Sequence, residues 1–187
     1  MAELTPQQDL MKWFDAHGGF LDPSIVLAIS EESGQHFRAV ESFDTPASEE
    51  RRICKCPFSL TLSHLNLISS PPAGIHACSN GSICTKLVGN IPTAAVSYFF
   101  LVEQRLKGAE SFWEPYIAAL PKEAKMNTPL WFQEDDLQWL LGTTIHASGT
   151  DPNKSGLELR RGMWMDQWQR GVELLEQASE DTKGFTW

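Results

Sequence analysis

Four cysteines, Cys54, Cys56, Cys78 and Cys84, and five histidines are the residues of this chain best suited to hold a metal or act as nucleophiles. Cys54-Lys55-Cys56 sets two thiols on one face of an extended strand, because successive strand side chains alternate. Joined by Cys78, Cys84, His64 or His76, they supply the donor types of a zinc site. Against that, Cys-x-Cys inside an apolar strand also reads as two small buried residues, and the Cys78–Cys84 spacing is wider than in common zinc knuckles. Glu134-Asp135-Asp136 is either a carboxylate cluster or a charged first helical turn opposing the helix dipole. Ser33-Gly34-Gln35-His36-Phe37-Arg38-Ala39 places a Gly between two apolar runs. It reads as a plain hairpin turn or as a point where the backbone approaches a ligand closely. Of the seven Trp residues, Trp113, Trp131, Trp139, Trp164, Trp168 and Trp187 fall in the second half. Their helical spacing makes them core and corner packing, or alternatively a stacking surface for a cofactor or a methylated lysine. The histidines stand singly, and the chain carries no Walker A, GxGxxG or HExxH string and no Ser-His-Asp order.

The elements that must position these residues follow from local pattern. Thr5-Pro6 is a cap followed by Pro at the first helical position. Leu4, Leu10, Met11, Trp13 and Phe14 form an apolar stripe that Gly18-Gly19 closes. Ile25 to Ser30 predicts a strand, Glu31-Glu32-Ser33-Gly34 a turn, His36 to Val40 a second strand. Ile53 to Cys56 predicts a third, stopped by Pro57 after the polar loop Asp44 to Arg51. Ser69 to Asn90, rich in Ser, Pro, Gly and Asn, predicts a long connector. Helices are expected at Ala94 to Leu106, Ser111 to Leu120, Glu134 to Leu141 and Leu157 to Ala178. The outline is α+β: an N-terminal helix over 1–19, a small β-rich part over 20–68, a connector over 69–92 and an all-helical part over 93–187.

Composition sets the outer bounds. The 187 residues suffice for one domain or a domain with a subdomain, and 42% hydrophobic with 21% charged residues is the ordinary globular range. A net charge of −9 argues against binding to nucleic acid or anionic membrane, since a polyanion is repelled, and suits a basic protein or peptide partner. No apolar run is long enough to span a bilayer, and MAELTPQQDLMKWF lacks the basic and apolar regions of a secretory signal. Free thiols in cytoplasm or nucleus are therefore expected. Composition and spacing alone carry the reading no further than a soluble α+β protein or binding module.

One stretch is more specific than its physics requires. Residues 98–121 read YFFLVEQRLKGAESFWEPYIAALP, an apolar helix with a charged exit, a Gly, then the aromatic corner Ser111-Phe112-Trp113-Glu114-Pro115-Tyr116 closed by Leu120-Pro121. From Glu103 to Pro121 this string resembles the SET-domain protein-lysine methyltransferases of the Rubisco large-subunit methyltransferase-like class. Ser33 to Ala39 resembles the first motif of that family, a glycine turn after a strand. Cys56-Pro57-Phe58-Ser59-Leu60-Thr61-Leu62-Ser63 is similar to its "iPrsltLs" segment. Thr128-Pro129-Leu130-Trp131-Phe132, with Asp136-Leu137, Trp139-Leu140 and Gly142-Thr143, is similar to its "tPlyf…eDL.wL.GT" helix entry. The four motifs fall in the family order, and the HFRA and WL.GT variants look most like fungal members.

The resemblance implies a split β-rich domain that binds S-adenosyl-L-methionine and a helical insert that forms one wall of the active-site region. It assigns the cofactor contact to the backbone of Ser33, Gly34 and Gln35, with His36 standing where the family has its second Gly. It implies methylation of lysine on a non-histone protein, of the ribosomal or translation class. The family's catalytic Asn-His dipeptide does not occur in this sequence, and its only tyrosines, Tyr98 and Tyr116, match insert positions. The expectation is thus the N-terminal portion of such an enzyme, truncated, inactive alone, with no catalytic residue of its own, and poorly soluble or dimeric through open strand edges. The alternative is a non-catalytic interaction module that keeps the helical insert as its binding surface. The reading frame beyond Trp187 separates the two.

Overall fold

The cap at Thr5 begins the chain as its sequence dictates. In the computed structural model, which describes residues 5–30, 34–40, 52–68, 81–122, 126, 128–147 and 155–186, the Thr5 hydroxyl accepts from the Gln8 amide. The Gln8 side chain answers by accepting from the Thr5 amide at 3.0 Å, and helix α1 runs Pro6–Ala16 behind this capping box. The chain separates into two compact units, Met1–Thr61 and Leu62–Trp187.

In the first unit α1 is followed by β1 (Phe20–Leu21), β2 (Ile25–Ser30), β3 (Gly34–Ala39) and β4 (Cys54–Lys55). β2 and β3 form an antiparallel hairpin in the register Ile25↔Ala39 through Ser30↔Gly34, and β1 pairs antiparallel with β4. Asp22 turns the chain between the two pairs. Its amide reaches the Ile53 carbonyl, and its carboxylate accepts from both the amide and the hydroxyl of Ser24. The second strand therefore begins at Gly34, two residues before the expected start, because ladder pairing continues to Ser30. The third is shorter than Ile53 to Cys56. The Asp44 to Arg51 loop lies outside the described residues. Among the described residues of this unit only Gly19, Ser24 and Leu60 are buried.

The second unit holds the core. It comprises α2 (His64–Ile68), a 3-10 helix at Ile83–Leu87, α3 (Thr93–Lys107), α4 (Glu114–Ala119), α5 (Glu134–Leu137), α6 (Thr144–Ala147) and α7 (Gly156–Gln177). Val96, Phe99, Phe100 and Glu103 recur at the three- and four-residue spacing that gathers side chains on one helical face, and all are buried. Phe99 stacks on Trp168 at 4.3 Å between ring centroids and on Phe185 at 5.7 Å. Phe100 meets Trp113 edge-on at 5.3 Å. Gly171 lets α7 come this close: a Cβ there would stand 2.4 Å from the Phe99 ring. Ser155 caps α7 through a second capping box with Glu158, and Gly108, at φ +55°, ends α3 in a conformation that favours glycine.

Three expectations change here. The connector Ser69 to Asn90 is not structureless throughout, since Ile83–Leu87 is a 3-10 helix whose Cys84 and Leu87 are wholly buried. The helix expected from Ser111 starts at Glu114, and Ser111 instead turns the chain by accepting from the Trp113 amide. The helix expected to reach Leu141 ends at Leu137 and tightens into a 3-10 turn at Gln138–Leu140. The tryptophans divide: Trp113 is 3% exposed, whereas Trp139 is 78% exposed and is not core.

Candidate functional site

Of the three cofactor-contact candidates, Gly34 and Gln35 lie in β3, opposite Ser30 and Ile29, at the end of the hairpin. Ser33 lies outside the described residues. The backbone of Gly34 and Gln35 thus forms the start of β3. His36 is half-buried opposite Ala28, while Phe37 projects 62% exposed. Among the described residues neither strand pairs with a third.

In the second unit the densest buried polar constellation is one the sequence reading did not assemble. Glu103, on the apolar face of α3, accepts the Ser82 hydroxyl at 2.5 Å and the Ile83 amide at 3.2 Å. The Lys107 ammonium lies 3.7 Å away, one turn along. Ser82 also caps the 3-10 helix by accepting from the Cys84 amide. The carboxylate is thereby engaged on both oxygens and ties two segments together. Burial, and then the charge of Glu103, push the Cys84 thiol far above its usual range, so it stays protonated at neutral pH. One helical step on, Gln104 accepts from Ser111 at 2.9 Å, and its buried amide nitrogen has no partner among the described residues. Nothing in the local pattern of Ser82 and Glu103 marks them as partners. The Glu103-x-Arg105-x-Lys107-Gly108 string was the only trace.

A groove of ≈ 320 Å³ opens beside the start of α7, lined among others by Leu137, Leu140, Leu141, His146, Leu157 and Arg161. It is a mainly apolar trough whose polar lining includes His146, Ser155, Glu158 and Arg161, with the Ser155 hydroxyl donating to the Glu158 carboxylate at 2.9 Å. The acidic run Glu134-Asp135-Asp136 is the first turn of α5, where the Asp136 carboxylate accepts from the Gln133 amide at 3.3 Å. That is helix capping. Cys54 and Cys56 are exposed, not the small buried residues that one reading made them. Among the described residues no group of three or more His, Cys, Asp or Glu converges to hold a metal. Cys78 and His76 lie outside those residues. No helix of the described residues is long and apolar enough to cross a membrane.

The chain is similar to protein methyltransferases. It is 31% identical over 144 residues to the actin-histidine N-methyltransferase of Homo sapiens, a match covering 74% of this chain and 21% of the relative. The corresponding enzyme of Dasypus novemcinctus is 32% identical over 144 residues, again 74% of this chain and 21% of the relative. The ribosomal lysine N-methyltransferase set10 of Schizosaccharomyces pombe is 32% identical over 81 residues, 43% of this chain and 13% of the relative. The chain thus spans about a fifth or less of the length of these curated relatives. No family model matches it, and no solved structure does.

Proposed function

We propose that this chain corresponds to the N-terminal portion of a SET-domain, S-adenosyl-L-methionine-dependent protein methyltransferase of the Rubisco-methyltransferase type. The observation that carries the reading is the ordered set of four motifs from Ser33 to Thr143, which lies within a chain similar over 144 residues to protein methyltransferases. The first unit is consistent with this reading: among the described residues its hairpin pairs with no third strand and only three residues are buried, which leaves strand edges open to further pairing. The second unit, with its own core, fits the role of the helical insert.

When bound, the cofactor supplies an electrophilic methyl group on a sulfonium. The backbone at Ser33, Gly34 and Gln35 would hold its methionine moiety. Methyl transfer to a neutral nitrogen depends on alignment and on a dry channel more than on a strong base, and the Asn-His dipeptide with which the resembled family lines that channel does not occur in this sequence. The acceptor is a lysine of a non-histone protein, in line with the ribosomal substrate class named for set10. A second reading, a histidine acceptor, is favoured by the longer matches to actin-histidine methyltransferases. The compartment that goes with this proposal is cytoplasm or nucleus.

Calorimetric titration of the chain with S-adenosyl-L-methionine tests the cofactor assignment. Saturable binding that is lost on Gly34→Val supports it, and heat no greater than dilution removes the assignment from Ser33–Gln35. For a longer protein containing this chain, radiolabelled methyl transfer followed by acid hydrolysis distinguishes methyl-lysine from methyl-histidine.

A further inference from the structure

The exposed pair Cys54 and Cys56 is used by neither the fold nor the proposed methyl transfer. Cys54 sits in β4 opposite Leu21. Cys56 follows the strand and precedes Pro57, and a residue before proline is held extended. The alternation of strand side chains therefore continues through Cys56, setting both sulfurs on one face and Lys55 on the other. Both thiols are exposed.

We infer that Cys54 and Cys56 form a two-coordinate site for a soft, thiophilic monovalent cation, with Cu(I) as its probe. Distance selects the bridged form over a disulfide. Two strand rises of ~3.3 Å separate the Cα atoms by ~6.6 Å, the far limit of what a disulfide of ~2.05 Å between sulfurs spans without backbone movement. A cation held between the sulfurs, at a metal–sulfur distance like the ~2.3 Å of zinc thiolates, lets them stand up to ~4.6 Å apart. Coordination number selects the metal. Zinc takes four ligands, and this pair supplies two. Thiolates alone select soft ions such as Cu(I). The step is balanced without redox chemistry: two thiols and one monovalent cation give a bis-thiolate complex of charge −1 and release two protons. Arg52 and Lys55, exposed in the same stretch, offset that charge. The weak contact of the Cys56 thiol with the Pro57 carbonyl, 3.6 Å, is all that is given up.

The test is an anaerobic titration of the reduced, full chain with Cu(I) against a coloured Cu(I) chelator, followed by alkylation and tryptic mapping. Trypsin cuts after Lys55, so the two cysteines are read in separate peptides. The expected result is one Cu(I) per chain, protection of both Cys54 and Cys56, and loss of affinity on the order of 100-fold or more in Cys54→Ser and in Cys56→Ser. Cys78→Ser retains the affinity. Circular dichroism confirms that the serine variants keep their fold. Equal alkylation of loaded and unloaded protein, undiminished affinity in either serine variant, or an equal loss in Cys78→Ser overturns the proposal.

Discussion

The Ser82 hydroxyl donates to the Glu103 carboxylate at 2.5 Å across 21 residues of chain, and this bond fastens the 3-10 helix Ile83–Leu87 to α3. Both residues are buried, so water does not substitute for either partner. Glu103→Ala strands the Ser82 hydroxyl and the Ile83 amide and removes the Lys107 partner. A loss of about 2–3 kcal/mol in unfolding free energy is expected, read as a lowered urea midpoint with unchanged slope. A variant within 0.5 kcal/mol of the parent (roughly the scatter of surface substitutions) rules the clamp out.

Cys84 makes stability fall with alkaline pH. Its thiol keeps its proton in the folded chain well above the usual value of 9.0, because burial first and Glu103 second disfavour the thiolate. The unfolded chain ionises near that usual value, so above it the unfolded state binds fewer protons than the folded one, and stability declines as pH rises. The contribution of this one group is at most about 1.4 kcal/mol per pH unit. Urea midpoints between pH 8 and 10 should fall more steeply for the parent than for Cys84→Ala. Parallel slopes refute it.

Gly171→Ala tests the close approach of α7. Alanine removes a helical glycine, worth up to about 1 kcal/mol of stabilisation, but its methyl would meet a Phe99 ring already stacked on Trp168. Overpacking costs about 1–3 kcal/mol, so net destabilisation of about 1–2 kcal/mol is expected in thermal or urea unfolding. A stabilised variant means the ring moves freely.

Phe99→Ala removes the ring at the centre of the aromatic stack. Its complete burial predicts a loss of about 3–5 kcal/mol, with a change in Trp168 fluorescence as its neighbour disappears. An unaltered emission spectrum in the folded variant contradicts the stacking.

The chain by itself should transfer no methyl group, because its sequence holds no Asn-His dipeptide and its tyrosines stand in the helical unit. Tyr98 faces Trp164 at 6.5 Å, a packing role. Radiolabelled transfer to lysate proteins by the purified chain is the measurement, and incorporation above a heat-killed control refutes the expectation.

What the sequence made legible was whatever is decided within a few residues. Thr5-Pro6 and Gln8 announce α1 because a capping box is a four-residue device. Ile25 to Ser30 was readable as a strand because β-branched apolar residues cluster there. α7 was readable because its apolar residues keep helical spacing over six turns. The 3-10 helix at Ile83–Leu87 was not, since five residues are too few to establish a period and their burial comes from α3 and α7. The Ser82–Glu103 bond was hidden for the same reason. At the candidate site, the glycine motif fixed attention on Ser33 to Gln35, and register alone places Gly34 in the ladder opposite Ser30.

The distribution of buried residues also has a direction in time. The first unit, with three buried residues among those described, is synthesised before the stretch that carries Phe99, Phe100 and Leu175. Domains ordinarily settle in the order of their synthesis. Of these two units the one made first has the fewer buried residues among those described and the one made second holds the core, so emergence and consolidation run in opposite directions between them.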